Sequence, residues 1–535
     1  MQSRKLGRRS LISGAAAALA LSACTSGGSV PTPAGPSSGF NPSGLPIVQQ
    51  TTNLTFSGQK APLAPDYGTM ELVKHWEKDT NIHVAWENLP ETTYQEKKNL
   101  ILAGGKLPDA FFNTGFSAGD IITYGTNGTL IPLEGLIDKY APNLKKILEK
   151  RPSIRATITA SDGHIYTLPR AEELGIGAVP FFLSINKAWL DKLGLPIPST
   201  IGEFETALRA FKTKDPNGNG KADEIPFSFI NNWWCADAGD VMAALSGMPD
   251  NPQHRIVREG KVIYTAAQPE YATAIAKLHQ WYADGLIDQE ALTQDDKTYL
   301  AKGKTASETL GAYIWWETEE VVGPERSGDY VLVPALTGVN GKRIIGHSNG
   351  ADYNAGAFAI TRANQHPEAT MRWVDRLYDP VMSAQVSWGP IGVTLEKNAA
   401  GVLVQKTLPA GESAGELRQK VAPGGPSVTL KEDFVNVVLP EPRAAGRVAD
   451  LEKYYLSAAE PQYYPNVMFT NEETQEIARI ETEVKALVDA KRAQWIAKGG
   501  VSEEWDGYVG QLKTIGLDRM VQIYQAALDR FNANR

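Results

Sequence analysis

Asp215-Pro216-Asn217-Gly218-Asn219-Gly220-Lys221-Ala222-Asp223-Glu224 is the segment whose residue types and spacing most sharply imply chemistry. Oxygen-bearing side chains recur at loop positions one, three, five and nine, and a glycine at position six permits a sharp turn. That is the front of an EF-hand loop. Calcium, a hard cation that takes roughly six to eight oxygens, is the expected ion. Asp215, Asn217, Asn219, Asp223 and the backbone carbonyl of Lys221 are the expected ligands. Position twelve is Pro226 rather than a bidentate Glu, and Glu224 is the natural substitute. With no evident open coordination position, the expected role of Ca2+ is structural.

A second kind of chemistry is suggested by aromatic residues. The chain has 12 Trp and 19 Tyr. Trp233-Trp234 follow Asn231-Asn232, Trp315-Trp316 precede Glu317, and Trp388 precedes Gly389-Pro390. Sugar rings stack their C–H faces on aromatic rings while their hydroxyls take amide and charged partners. Trp234, Trp315, Trp316, Trp388 and Tyr353 are therefore candidate ligand-binding residues. Asn113, Arg170, Glu173, Glu317 and Asp352 are candidate hydroxyl partners. For each ring the competing reading is an ordinary core residue.

Signals for catalysis are weaker. Gly346-His347-Ser348-Asn349-Gly350 fits G-x-S-x-G, but a nucleophile elbow needs a strand before it and a helix after it. Ala351 to Gly356 is a poor helix start, and the single later His is His366. Gly303-Lys304-Thr305 ends like a phosphate loop, yet position 298 is Thr where Gly is required. Acidic pairs such as Glu172-Glu173 and Glu319-Glu320 are expected by chance among 61 acids. The chain is read as a non-enzyme, with no catalytic residue assigned.

The elements that must position these residues alternate. Ile82 to Trp86, Pro108 to Phe112, Phe181 to Asn186 and Ala357 to Ile360 read as strands. Thr200 with Glu203 and Thr470 with Glu473 form capping boxes. Behind them Phe204, Leu208 and Phe211, then Ile477, Ile480, Val484 and Leu487, line helical faces. Pro367 opens another helix containing Met371, Val374, Leu377 and Tyr378. The mixture predicts an α/β fold.

At the N-terminus, Arg4, Lys5, Arg8 and Arg9 precede an apolar run from Leu11 to Leu21 that is too short to span a bilayer. The run ends in Leu21-Ser22-Ala23-Cys24, which resembles a bacterial lipobox. Residues 1–23 are accordingly read as a signal peptide and Cys24 as the lipidated residue. Arg8-Arg9-Ser10-Leu11 also resembles a twin-arginine export motif. Residues 24–53 form a Ser/Gly/Pro-rich tether.

Composition sets the outer limits. At 535 residues, 42% of them hydrophobic, the chain is expected to form more than one lobe. The net charge of −8 argues against nucleic-acid binding. Two cysteines, one of them in the N-terminal segment, exclude a four-Cys zinc site and make an intrachain disulfide unexpected.

Several segments together carry a family likeness. They include Leu107 to Phe112, Gly128 to Tyr140, Asp162 to Pro169, Ile185 to Leu195 and Pro198-Ser199-Thr200. Later come His366 to Ala369, Trp388 to Val393 and Phe469 to Glu473. In this order they resemble the bacterial extracellular solute-binding proteins of family 1, in their large lipoprotein form. The loop at 215–224 lies where the alginate-oligosaccharide-binding members carry calcium. The resemblance implies a two-lobed periplasmic-binding-protein-like fold of type II, with hinge crossovers and a ligand cleft between the lobes. It implies lobe 1 at 54–180 plus 340–385, and lobe 2 at 181–339 plus 386–535. It further implies an oligosaccharide ligand, an ABC permease as partner and attachment to the outer face of the cell membrane as a monomer. Ala301 to Trp316 is similar to the stretch that supplies a stacking Trp in maltose-binding relatives. Where large members commonly have Tyr-Gly-x-Glu-Gly, this chain has Trp388-Gly389-Pro390-Ile391-Gly392. The rival expectations are a secreted glycan-degrading enzyme and a binding protein for a peptide or other non-sugar solute.

Overall fold

A computed structural model describes residues 39–174, 182–233, 235–346, 353–408, 414–458 and 463–535. The signal segment, Cys24, Trp234, Asp352 and the His347-to-Gly350 part of the G-x-S-x-G motif lie outside the described residues.

Two mixed sheets are each wrapped in helices. The first contains β1 (Thr52–Lys60), β2 (Ile82–Pro90), β3 (Ala110–Phe112) and β4 (Leu168–Glu172). The second contains β5 (Leu183–Asn186), β6 (Ile225–Ser228), β9 (Leu310–Ile314) and β10 (Tyr330–Leu332). β7 (Arg255–Arg258) and β8 (Lys261–Tyr264) form a separate hairpin. The chain then returns to the first sheet as β11 (Tyr353–Ile360). It makes a small hairpin from β12 (Leu395–Lys397) and β13 (Leu403–Gln405), and closes the first sheet with β14 (Val428–Thr429). The strand orders are β14-β4-β11-β3-β1-β2 and β10-β5-β9-β6.

Side-chain alternation along the strands builds two cores on the first sheet. Ala110, Phe112, Phe358 and Ile360 enter the larger one, which also holds Phe56, Trp76 and Trp373. Phe111 and Ala359 face the other way, against Phe116, Ile121 and Leu130. The second sheet shares one large core with the C-terminal helices Asn471–Lys498, Val501–Ile515 and Leu517–Ala533. Ile477, Ile480 and Val484 are buried there, as the helical spacing predicts, and Leu487 is half-buried.

The helices start where the sequence marks them. Thr200 and Thr470 each accept from the backbone N–H three residues on, and Glu203 and Glu473 complete the boxes. Such a cap contributes roughly 0.5–2 kcal/mol. A third box, Ser117 with Asp120, begins the helix Ala118–Thr126. Pro367 is the first residue of the helix Pro367–Asp375, and a 3-10 turn, Arg376–Tyr378, carries on from it.

The expected crossing near residue 385 does not coincide with a change of sheet. Val386, Val428 and Leu430 remain in the core of the first sheet, and β14 pairs with β4. The return comes later, with the helix Pro442–Tyr454. Leu451 and Tyr455 pack against Phe182, Ala335 and Ile345 of the other lobe. Hydrogen bonds join the lobes through the 466–471 segment. Asn466 donates to the Tyr353 carbonyl (3.3 Å), and Thr123 donates to Asn471 (3.0 Å). Among the described residues no helix is long and apolar enough to cross a membrane.

Candidate ligand-binding site

β1 and β3 are parallel, and β4 is antiparallel to β11, which is itself antiparallel to β3. The carboxyl ends of β1, β3 and β4 therefore open on one edge, where β11 begins. In open α/β sheets that edge is where ligands bind. Gln59, Asn113, Arg170, Glu172 and Tyr353 lie along it. Asn113 sits just past β3 with φ 53°, a left-handed conformation that Asn tolerates. Its amide donates to the Gln59 carbonyl at 3.4 Å. Gly424 and Gly425 carry the chain over this edge at positive φ. A Cβ on Gly425 would stand 2.3 Å from the Phe112 ring, and one on Gly424 would be 3.7 Å from the Asn113 amide and 4.0 Å from Arg170. The passage at Gly425 admits only glycine, while at Gly424 it is the positive φ that favours one.

Two of the expected hydroxyl partners are already engaged. Glu173 takes a two-pronged bond from Arg151 (2.7 and 2.8 Å), and further bonds from Tyr353 Oη (3.1 Å) and the Lys431 N–H (3.0 Å). Burial opposes its ionised form, but these donors outweigh it and hold the carboxyl below its usual range. Glu317 accepts from Arg447 at 2.8 Å. Both side chains are mostly buried within their ion pairs.

In the second lobe β9 and β6 are parallel, so Trp315-Trp316-Glu317 and Asn231-Asn232-Trp233 leave the same edge. Trp315 is buried against Tyr299, with its indole N–H on Glu320 at 3.0 Å. The half-buried Trp316 carries the Arg447 guanidinium on its face, 4.9 Å from the ring centre. Trp316, Glu317 and Arg447 line a cavity of about 500 Å³ with Pro198, Ser199 and Tyr454. Asn232, next to Trp233, is fixed by Arg492 (2.7 Å) and Asp489 (2.9 Å) of the long C-terminal helix. Arg492 also pairs with the buried Asp237 at 2.9 Å.

Trp388 ends the helix Pro380–Trp388 of the first lobe, and Arg418 lies 4.4 Å over its ring. Arg418 belongs to the helix Ala414–Val421, whose Gln419 accepts from the Leu63 N–H at 3.3 Å, next to the end of β1. The structure thus gathers Asn113, Arg170 and Trp388 on one edge and Trp315, Trp316 and Glu317 on the other. Glu173 and Tyr353 form a separate bonded pair. Sequence reasoning missed Arg418, Arg447, Glu172 and Glu441. Arg418 sits in a Glu/Arg/Gln/Lys-rich helix that reads as a solvated face, so its partner 30 positions away left no local signal.

The 215–224 loop is tied together by internal hydrogen bonds. Asp215 accepts from the N–H groups of Gly218, Asn219 and Gly220 at 3.0–3.1 Å. Asn217 and Asn219 oxygens accept from the N–H groups two residues on. Both amides also donate to Asp223, at 3.0–3.2 Å. Lys192 holds the Pro216 carbonyl at 2.7 Å. Glu224 is buried, and its Oε1 has no hydrogen-bond partner. Burial, then the nearby charges of Asp215 and Asp223, push its carboxyl above the usual range. Among the described residues no group of three or more His, Cys, Asp or Glu side chains is assembled as a metal site. The loop's oxygens come from amides, carboxylates and a carbonyl together. That donor chemistry, with an unpartnered buried carboxylate oxygen beside two further acids, fits a hard divalent cation.

The description "bacterial extracellular solute-binding protein" matches residues 60–382. The fructooligosaccharide ABC transporter substrate-binding protein FusA of Streptococcus pneumoniae is 38% identical over 503 residues, covering 91% of this chain and 92% of FusA. FusA solved with kestose superimposes with a TM-score of 0.77 at 37% identity, over 90% of this chain and 100% of that one. An EF-hand mutant of FusA, in complex with fructo-nystose, superimposes equally well. An extracellular solute-binding protein from Bifidobacterium longum subsp. infantis gives a TM-score of 0.80 at 25% identity, over 90% of this chain and 98% of that one.

Proposed function

We propose, for a chain that belongs to the bacterial extracellular solute-binding protein family, that it is the substrate-binding subunit of an ABC importer and carries a neutral oligosaccharide of the fructo-oligosaccharide class. The observation that carries this reading is the pair of sheet edges. Each presents a tryptophan and mixed Arg/Glu chemistry, in a chain whose 38%-identical relative is a fructooligosaccharide-binding subunit. Stacking faces suit sugar rings, and alternating donors and acceptors suit hydroxyls. We take the first lobe as roughly 39–174 plus 353–438 and the second as 182–346 plus 442–535, with the ligand between them. Contacts made to both lobes together favour the closed form and drive closure.

Trp316 and Trp388 are the proposed stacking rings, with Asn113 and Arg170 as hydroxyl partners. Calcium is proposed to be bound by Asp215, Asn217, Asn219, the Lys221 carbonyl, Asp223 and Glu224. Its role is to fix the loop between the helix Ile201–Thr213 and β6. FusA has an EF-hand that has been mutated, which supports this assignment. The chain is further proposed to be lipidated on Cys24 and to act outside the cytoplasm as a monomer that hands its ligand to a permease without cleaving it.

The test is calorimetric titration with kestose, nystose, maltotriose, trigalacturonate and a tripeptide, followed by chromatography of the recovered ligand. Binding of kestose or nystose, recovered intact, is the expected result. Binding of the tripeptide alone, or recovery of shortened sugar, overturns the reading.

A further inference from the structure

Two arginines lie over tryptophan rings at the sheet edges, and their N–H groups are used differently. Arg447, on Trp316, donates to Glu317 at 2.8 Å, and its Nη2 is 3.7 Å from Glu441. The Arg418 side chain, over Trp388, has no carboxylate at ion-pair distance and no hydrogen bond among the described residues. It is nevertheless half-buried, within the field of Glu172, Arg170 and Glu441. Burial disfavours its charged form, and the direction of its pKa shift reflects that. Two further groups here lack a hydrogen bond, and the first of them is held by an ion pair alone. Glu172 Oε1 is buried without a hydrogen bond, with Arg170 Nη2 standing 3.5 Å away, and the buried Trp388 indole N–H has no acceptor.

A guanidinium fork with no protein acceptor, beside a buried carboxylate oxygen held only by a long ion pair, would be costly in a finished core. They are what a site keeps for its ligand. We propose that Arg418 contacts the ligand directly and sets its class: the outer edge of its guanidinium donates to neighbouring hydroxyls of one sugar ring, and Glu172 Oε1 accepts from another hydroxyl of the same ligand. The cation–π contact with Trp388 restrains the guanidinium, so less freedom is lost on binding. Hydroxyls both donate and accept, which matches one donor fork beside one acceptor. A uronate carboxylate would take the Arg418 fork but would set a like charge beside Glu172 and Glu441 and leave Glu172 Oε1 without a hydroxyl donor. The assignment rests on the oligosaccharide reading above and deepens it to neutral sugars recognised by a guanidinium.

The experiment uses the full chain carrying Cys24→Ser, titrated with kestose and with trigalacturonate, and unfolding midpoints without sugar. Arg418→Lys keeps the charge and loses the planar fork. It is expected to weaken kestose binding 10- to 100-fold while moving the midpoint by less than about 2 °C. Glu172→Gln is expected to weaken kestose binding and to raise the affinity for trigalacturonate. Kestose affinity within twofold of the parent in both Arg418→Lys and Arg418→Ala, with unchanged midpoints, overturns the assignment. If Arg418→Ala does not fold, the Lys variant decides alone. A parent protein that binds none of the neutral sugars overturns the oligosaccharide reading itself, and Arg418's role with it. That failure is seen before any variant is made.

Discussion

The 215–224 loop and the sheet-edge rim are both rich in charge, but they are balanced in opposite ways. The loop gathers Asp215, Asp223 and Glu224 around a single internal Lys221, and one buried carboxylate oxygen is left without a donor. The rim alternates Arg170, Arg418 and Arg447 with Glu172, Glu317 and Glu441. An excess of oxygen charge asks for a cation, whereas an even mixture of donors and acceptors asks for a neutral, hydroxylated partner. The loop is also contiguous in sequence, and the rim is assembled from residues hundreds of positions apart. One region should govern stability, and the other affinity.

The largest expected effect breaks the loop. Chelating calcium, from a start at roughly a thousand times its Kd, should lower unfolding free energy by about 4 kcal/mol while kestose affinity changes less than about threefold. Thermal melts and titrations on the same sample check this. A large loss of sugar affinity with no loss of stability would merge the two regions. Next, Trp316→Ala should cost about 2 kcal/mol of kestose binding, roughly thirtyfold in Kd, and leave calcium binding intact. Isothermal titration of each ligand reads both.

A third carboxylate sharpens the comparison, because it belongs to neither region. Asp240 is fully buried, accepts from the Gly346 N–H at 2.6 Å, and its second oxygen has no partner. Burial pushes its carboxyl up to about 8 from an ordinary value of 3.8. The folded state therefore holds a proton that the unfolded state releases. Asp240's contribution is fully present below about pH 4 and is lost as pH rises toward 8, by up to about 1.4 kcal/mol per pH unit. Asp240→Asn should flatten the stability profile between pH 5 and 8, as denaturant unfolding across that range would show. An unchanged slope would mean that the proton is not held there. The smallest effect is a control. Thr470→Ala removes one helix cap, and should cost about 1 kcal/mol of stability with both affinities unchanged.

What could be read from the sequence was local. The capping boxes at Thr200 and Thr470, the strands around Val84 and Phe111, and the spacing of the 215–224 oxygens each need only neighbours along the chain. What could not be read was partnership at a distance. Glu172 and Glu173 are adjacent and chemically alike, yet Arg151 captures the second with two hydrogen bonds, and an oxygen of the first has only a 3.5 Å ion pair with Arg170. Trp315 and Trp316 are equally adjacent. The end of β9 turns the first onto Tyr299, and the second reaches the cavity with Arg447 on its face. The chain stays with the first sheet past 385 for the same reason. Nothing around Val386 announces that β14, some 40 residues later, still has to pair with β4.

That late pairing has a kinetic consequence. β3 and β4 are not neighbours in the first sheet; β11 lies between them. Until residues 353–360 have been synthesised, the two strands have nothing to bridge them, although both are complete by residue 172. The first lobe must wait for the whole of the second sheet to be made before its own centre can close. Loops this long raise contact order and slow collapse to the final topology. The growing chain should therefore stay open well past the length of an ordinary domain, with its most apolar strands exposed to whatever holds it in the meantime.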